Sequence, residues 1–236
     1  MGDDVEEVVP PADETEAAPP VAPPVASRSP RTYPPQTAEP DGTYRLAPGP
    51  LHAGDYRTTV FRPVFTFSLG EGWHSSEPID EGPPPVELRD FIEIARPGLV
   101  LTIARPEGIA HVVEGAVVTE PLPEDLVGYL QDFEGWDVVA PTPVTVAGYD
   151  AVQFNGTVTS QPGSEAICGR PCTVFFSLTN GGHFLVFGGD RVRVTVVDVD
   201  GVDVVFVVDI EAGTGSFERG LQTAEQVLRT VEFLRG

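Results

Sequence analysis

The stretch from His183 to Leu234 constrains the chain most, because it alternates, turns, alternates again and then changes period. Val192, Val194 and Val196 alternate with Arg191, Arg193 and Thr195, the period of two required of a strand with one buried face. After Asp198-Val-Asp-Gly201, the residues Val204, Phe206, Val208 and Ile210 alternate in turn, with Asp203 and Asp209 among the other-face positions. Two such strands around an Asp-Gly turn predict a hairpin. Then Phe217, Leu221, Ala224, Leu228 and Val231 recur at spacings of four, three, four and three, the stripe of a helix laid on a sheet. Ser216 stands where a cap belongs, and Glu218 favours the positive end of the helix. A hairpin and one helix cannot bury their faces alone, so the upstream chain must complete the sheet.

Register follows from the same pattern if one face of the hairpin meets solvent. A tight two-residue turn at Asp200-Gly201 would put Thr195 opposite Phe206 and Val192 opposite Asp209, mixing polar and apolar residues on one face. A loop of three or five residues centred on Gly201 instead pairs Val196 with Phe206, Val194 with Val208 and Val192 with Ile210. It also sets Arg193 against Asp209 and Arg191 against Glu211. A one-residue slip exchanges the two faces of a strand, so the second register is expected. It places the Val192, Val194 and Val196 face under the helix.

Upstream, strands are predicted at Thr43 to Leu46, Tyr56 to Phe61, Val64 to Leu69, Phe91 to Ala95 and Leu99 to Ala104, the last two joined by Arg96-Pro-Gly98. A helix is predicted over Pro123 to Phe133, with Pro123 in its first position, an apolar stripe of Leu126, Leu130 and Phe133, and Gly135 as its stop. Val144 to Val146 and Ala151 to Val158 flank Ala147-Gly148, and Thr173 to Thr179 and His183 to Phe187 flank Asn180-Gly-Gly182. Hairpin follows hairpin. The predicted class is α+β: a mainly antiparallel β-sheet with two or more helices packed on it.

Charge divides the chain. Asp and Glu number 36 against 14 Lys and Arg, all of them Arg, for a net charge of -22, a field that repels nucleic acid and anionic headgroups. Seven of the first sixteen residues are acidic and ten of the first forty are proline, so residues 1–41 are expected to form a disordered tether. Residues 42–236 are expected to form a single α+β sandwich domain. No apolar run in the chain reaches membrane-spanning length and no signal-peptide core precedes the tether. Any membrane association would need an anchor not present in this chain.

The run Phe61-Arg-Pro-Val-Phe-Thr-Phe-Ser-Leu-Gly-Glu-Gly-Trp73 carries a resemblance, together with the helix before Val144-Thr-Val-Ala-Gly148, the small-loop cysteines and the closing hairpin, helix and Val231-Glu-Phe233. In these features, residues 42–236 resemble the PsbP-like family of extracytoplasmic proteins, nearest its actinobacterial secreted and lipoprotein members. The resemblance implies an α/β sandwich around an antiparallel sheet and an extracytoplasmic, cell-envelope location. It implies no catalytic residue.

Candidate chemistry is sparse. Cys168 and Cys172, four apart in a Gly/Pro loop, are expected to form a structural disulfide in an oxidising compartment; a zinc site would need further ligands. His52, His74, His111 and His183 are scattered, and His111-Val-Val-Glu114 lacks a third and fourth metal partner. Gly213-Thr-Gly-Ser216 fits a turn and helix cap better than a phosphate loop, since Glu218 would repel the anion. Asp198-Val-Asp-Gly-Val-Asp203 has its glycine too early for a calcium loop, and the Asn155-Gly-Thr157 glycosylation triplet sits inside a predicted strand. Trp73, Tyr129 and Trp136 are the candidate ligand-binding residues, although the two tryptophans also fit the edges of a core. No catalytic set, metal or cofactor is expected. The expected function is a non-catalytic envelope accessory or binding module on a tether, its partner a protein. The alternative is a carrier or enzyme holding a small apolar ligand between sheet and helix.

Overall fold

Turn residues decide where this chain reverses, and apolar alternation decides how many strands stay paired. The computed structural model describes residue 33, residues 35–75 and residues 87–234. Most of the expected tether thus lies outside the described residues. At its described end, Gln36 Oε1 accepts from the His52 amide at 3.1 Å and the Tyr56 hydroxyl at 2.9 Å, and Glu39 pairs with Arg45 at 2.7 Å. Contacts with the folded body therefore begin ahead of Gly42.

The first strands are β1 (Gly54–Arg57), β2 (Phe65–Leu69), β3 (His74–Ser75), β4 (Phe91–Arg96), β5 (Leu99–Ala104), β6 (Gly108–Val113) and β7 (Ala116–Pro121). Helix α1 (Leu126–Asp132) follows, then β8 (Trp136–Val138), β9 (Thr142–Val146), β10 (Tyr149–Val158) and the short α2 (Glu165–Cys168). The remainder is β11 (Cys172–Ser177), β12 (His183–Phe187), β13 (Arg191–Val199), β14 (Val202–Ile210), α3 (Phe217–Leu228) and β15 (Glu232–Phe233).

Among the described residues every pair of strands is antiparallel, and the fold is α+β. An eight-stranded sheet in the order β3-β4-β5-β14-β13-β10-β8, with β9 also on β10, forms the centre. On one face α3 and the three-stranded sheet β1-β2-β15 close a core containing Phe65, Phe67, Trp73, Phe206, Val208 and Leu221. On the other, α1 and the four-stranded sheet β12-β11-β6-β7 close a second core with Leu130, Trp136, Phe175, Phe184, Val194 and Val207. A small third cluster on the outer side of that sheet holds Ala110, Cys172 and Val174, with Cys168 and Phe187 against it. The Cys168–Cys172 disulfide closes this loop.

The closing hairpin corrects the expected register. Val199 pairs with Val202, Thr195 with Phe206, Val194 with Val207 and Val192 with Asp209. Asp200 (φ 55°) and Gly201 (φ 84°) make a tight two-residue turn, whose positive angles match the twist of the flanking strands. The expectation assumed a solvent face, but β13 and β14 lie mid-sheet with apolar cover on both sides. Val197, Val199, Val204, Phe206, Val208 and Ile210 enter one core, and Val192, Val194, Val196, Val205 and Val207 the other. Burial then no longer discriminates between registers, and turn chemistry decides. Consequently α3 covers the Phe206 face instead of the Val194 face. Arg193 points at the helix, reaching Glu225 Oε1 at 2.8 Å, and Asp209 is carried to the opposite face.

Other boundaries moved for local reasons. Pro123 lies outside α1, because the Asp125 side chain accepts from the Gly128 amide at 2.8 Å and caps the helix there. Thr43 to Leu46 is no strand; Tyr44 forms one isolated bridge to Tyr56. Ser216 is the N-cap of α3 by position, but its hydroxyl donates to Glu218 Oε2 at 3.0 Å and makes no cap bond to the backbone. Glu87, 8% exposed, accepts from the successive amides of Thr59, Val60 and Phe61 at 2.6, 2.6 and 2.8 Å through one oxygen. A single carboxylate thereby holds the segment between β1 and β2, where the Arg62-Pro63 peptide is cis.

Candidate functional site

Between α1 and the β6–β7 hairpin lies an open cleft of about 560 Å³. Its walls follow from two local choices. Glu114 (φ 50°) and Gly115 (φ 77°) form a two-residue turn, which sets Ile109 opposite Glu120 and His111 opposite Val118. The face carrying Ile109, His111, Val118 and Glu120 therefore looks toward α1. Asp125 starts α1 so that Leu126, Leu130 and Phe133 enter the core. Tyr129 and Asp132 are then left along the cleft beside Gly128, with Glu134 just beyond the helix.

The cleft combines an aromatic wall with a carboxylate rim. The Tyr129 and Phe133 rings lie 5.2 Å apart. Glu120, Asp125, Asp132 and Glu134 line the same space, Asp125 already engaged by the helix cap. His111 Nε2 stands 3.8 Å from Glu120 Oε1. Burial, and secondarily the negative charge of Glu120, pushes the Tyr129 phenol up to about 12, so it stays a neutral donor. At the far end Gln161, itself buried, accepts from the Val174 amide at 3.1 Å and ties the β10–α2 connection to β11. Such a pocket suits a positively charged group on a flat or apolar stem. Carboxylates attract the charge, and the rings offer their faces to the cation and the stem.

The three expected ligand-binding residues occupy three different places. Tyr129 lines the cleft. Trp136, on β8, is buried in the core beneath α1, donating from Nε1 to the Leu130 carbonyl at 2.9 Å, with its ring 5.6 Å from that of Phe175. Trp73 belongs to the opposite core and borders a cavity of about 340 Å³ beside Arg96 and Thr223. Of the histidines only His111 joins the cleft. His52 stacks obliquely 5.7 Å from Tyr44, His74 lies on β3, and His183 begins β12. Gly213 to Ser216 links β14 to α3, and Thr214 Oγ1 donates to the Glu211 carbonyl at 2.7 Å. Asn155 lies in β10, its Oδ1 accepting from Arg193 Nε at 2.8 Å. Among the described residues no group of three or more His, Cys, Asp or Glu side chains is placed to hold a metal ion. Nor is any helix there long and apolar enough to cross a membrane.

Sequence reasoning missed Glu120, Asp132 and Glu134 as cleft residues. One signal was present: Val112-Val113 and Val117-Val118 flank Glu114-Gly115, a hairpin pattern that would have put His111 and Glu120 on one face.

No protein-family profile matches the chain, and no curated protein matches it. Among solved structures it is similar to a mutant of the protein Mog1 at 10% identity and a TM-score of 0.38, over 76% of this chain and 96% of that one.

Proposed function

We propose that this chain is a non-catalytic, extracytoplasmic binding module that receives a cationic group of a partner in the cleft between α1 and the β6–β7 hairpin. The observation that carries the reading is that Glu120, Asp132 and Glu134 line the same cleft as the Tyr129–Phe133 wall. A location outside the cytoplasm is supported by the Cys168–Cys172 disulfide, which persists in oxidising compartments. The resemblance to the PsbP-like family supports the same location. An acidic, proline-rich segment ahead of the domain suits a spacer that lets the cleft reach its partner.

N-acetyl-arginine amide, titrated against isotope-labelled protein, should shift the Gly128 and Tyr129 amide signals with millimolar affinity, while N-acetyl-glutamate amide should not. Combining Asp132→Asn with Glu134→Gln should weaken that binding about tenfold, or about 1.4 kcal/mol for the two carboxylates together. Unmoved Gly128 and Tyr129 signals at saturating probe would overturn the reading.

A further inference from the structure

The cleft has an open backbone edge alongside it. Strand β7 ends the four-stranded sheet and, among the described residues, pairs only with β6. In a hairpin closed by a two-residue turn, the pair next to the turn exchanges hydrogen bonds and the following pair does not. Here the first pair is Val113 with Ala116, so the backbone groups of Val117 and Thr119 point away from β6. They have no backbone partner among the described residues. All of β7 except Val117 is exposed, and Val118 is 38% exposed on the cleft face. Helix α2 meets the hairpin at its turn, where Ala166 packs beside Gly115, and leaves the length of the strand open.

We infer that a basic, extended segment of a partner protein docks here as an added antiparallel strand on β7, placing alternate Arg or Lys side chains over the cleft. This rests on the cleft reading above and deepens it. Side chains of an added strand alternate between faces, so every second residue would fall on the side of Val118 and Glu120. There it meets the carboxylates of Glu120 and Asp132 and the Tyr129 ring. The other residues would lie beside Val117 on the opposite face. Charge selects the occupant. A second copy of this chain would bring its own Glu120 and a net charge of -22 to the same edge, whereas a basic strand neutralises the rim as its main chain completes the sheet.

The test uses the full chain and a synthetic nonapeptide alternating arginine and valine. The peptide should bind at least tenfold more tightly than N-acetyl-arginine amide, and its glutamate–valine counterpart should not bind. Thr119→Pro removes one outward N–H without touching the cleft side chains. It should reduce the peptide to the affinity of the single arginine probe while leaving that probe within about twofold. To keep the test independent of the variant's folding, the peptide is also N-methylated on alternate amides in each of the two phases; only one phase should lose binding to the unaltered protein. Equal affinity of peptide and single arginine probe, or equal loss in both phases, would overturn the added strand while leaving the cleft reading in place. Binding of neither probe would remove both. Dimerisation abolished by Thr119→Pro would give the edge to a second copy and overturn the basic partner.

Discussion

Replacing Asp209 by Asn should stabilise this protein by an amount that grows with pH. Asp209 stands on β14 opposite Val192, its Oδ1 buried and unpartnered. Thr102 Oγ1, one strand away on the same face, is likewise buried and unpartnered. Burial is the first cause that pushes the Asp209 carboxyl up to about 8 from 3.8, followed by the negative charges of Asp190, Glu93 and Glu211; Arg170 acts the other way. The folded protein thus holds a proton that the unfolded chain has already released between those two values. Stability must fall as pH rises through that window, from about 4 to about 8, and this group adds no further change outside it. Each pH unit costs about 1.4 kcal/mol, which bounds the loss at roughly 6 kcal/mol. Solvent reaching the partly exposed side chain lowers it to roughly 2–3 kcal/mol. The Asn variant carries no charge at any pH. Its advantage should be near zero at about pH 4 and reach roughly 2–3 kcal/mol at about pH 8, a Tm difference of about 4–12 °C for a domain of this size. Calorimetry of both proteins across that range measures it, and because both share every other acidic residue, the difference isolates Asp209. Parallel stability curves from about pH 4 to about pH 8 would refute the reasoning.

Three further outcomes follow from individual residues. Glu87→Ala strips the acceptor from three successive amides and should cost about 3–4 kcal/mol in denaturant unfolding, since hydrogen bonds to a charged group contribute about 1.5–3 kcal/mol each and do not add fully; a loss below about 1 kcal/mol would show that water replaces the carboxylate freely. Replacing Cys168 and Cys172 together by Ser should cost only about 2 kcal/mol, because the bridge closes a very short ring. The same change should raise hydrogen exchange at Arg170, whose guanidinium lies 3.3 Å from the centre of the Phe187 ring, and unchanged exchange there would show that the loop is held without the bridge. In a spectrophotometric titration, Tyr129 and Tyr56, both raised to about 12 by burial, should ionise well above the ordinary phenol value of 10.0, and Tyr129→Phe should remove one such late step.

Reversals were the most legible part of the fold. Pro97-Gly98, Ala147-Gly148 and Gly181-Gly182 each mark a connection between paired strands, because few residues accept the angles a tight turn demands. The stripe from Phe217 was legible for a similar reason: a period near 3.6 arises only if one side of a helix is covered. The β6–β7 hairpin was harder to read, since β7 is largely exposed and neither strand carries a strong apolar alternation. With it went the cleft, whose carboxylates come from a strand, a helix cap, a helix and the turn after it. Spacing in sequence says nothing about residues that meet only after docking.

Local chemistry alone determined the antiparallel class, the α3 helix and the disulfide partners, for each depends on a few neighbouring residues. Tertiary structure decided which strands adjoin, with β14 beside β5 and β13 beside β10, and so decided that both faces of the central sheet are buried. That one circumstance released the closing hairpin from the polarity rule, turned Arg193 toward Glu225 and carried Asp209 to the opposite face. A strand's alternation records its two faces, but the layers packed on them determine whether either face meets water.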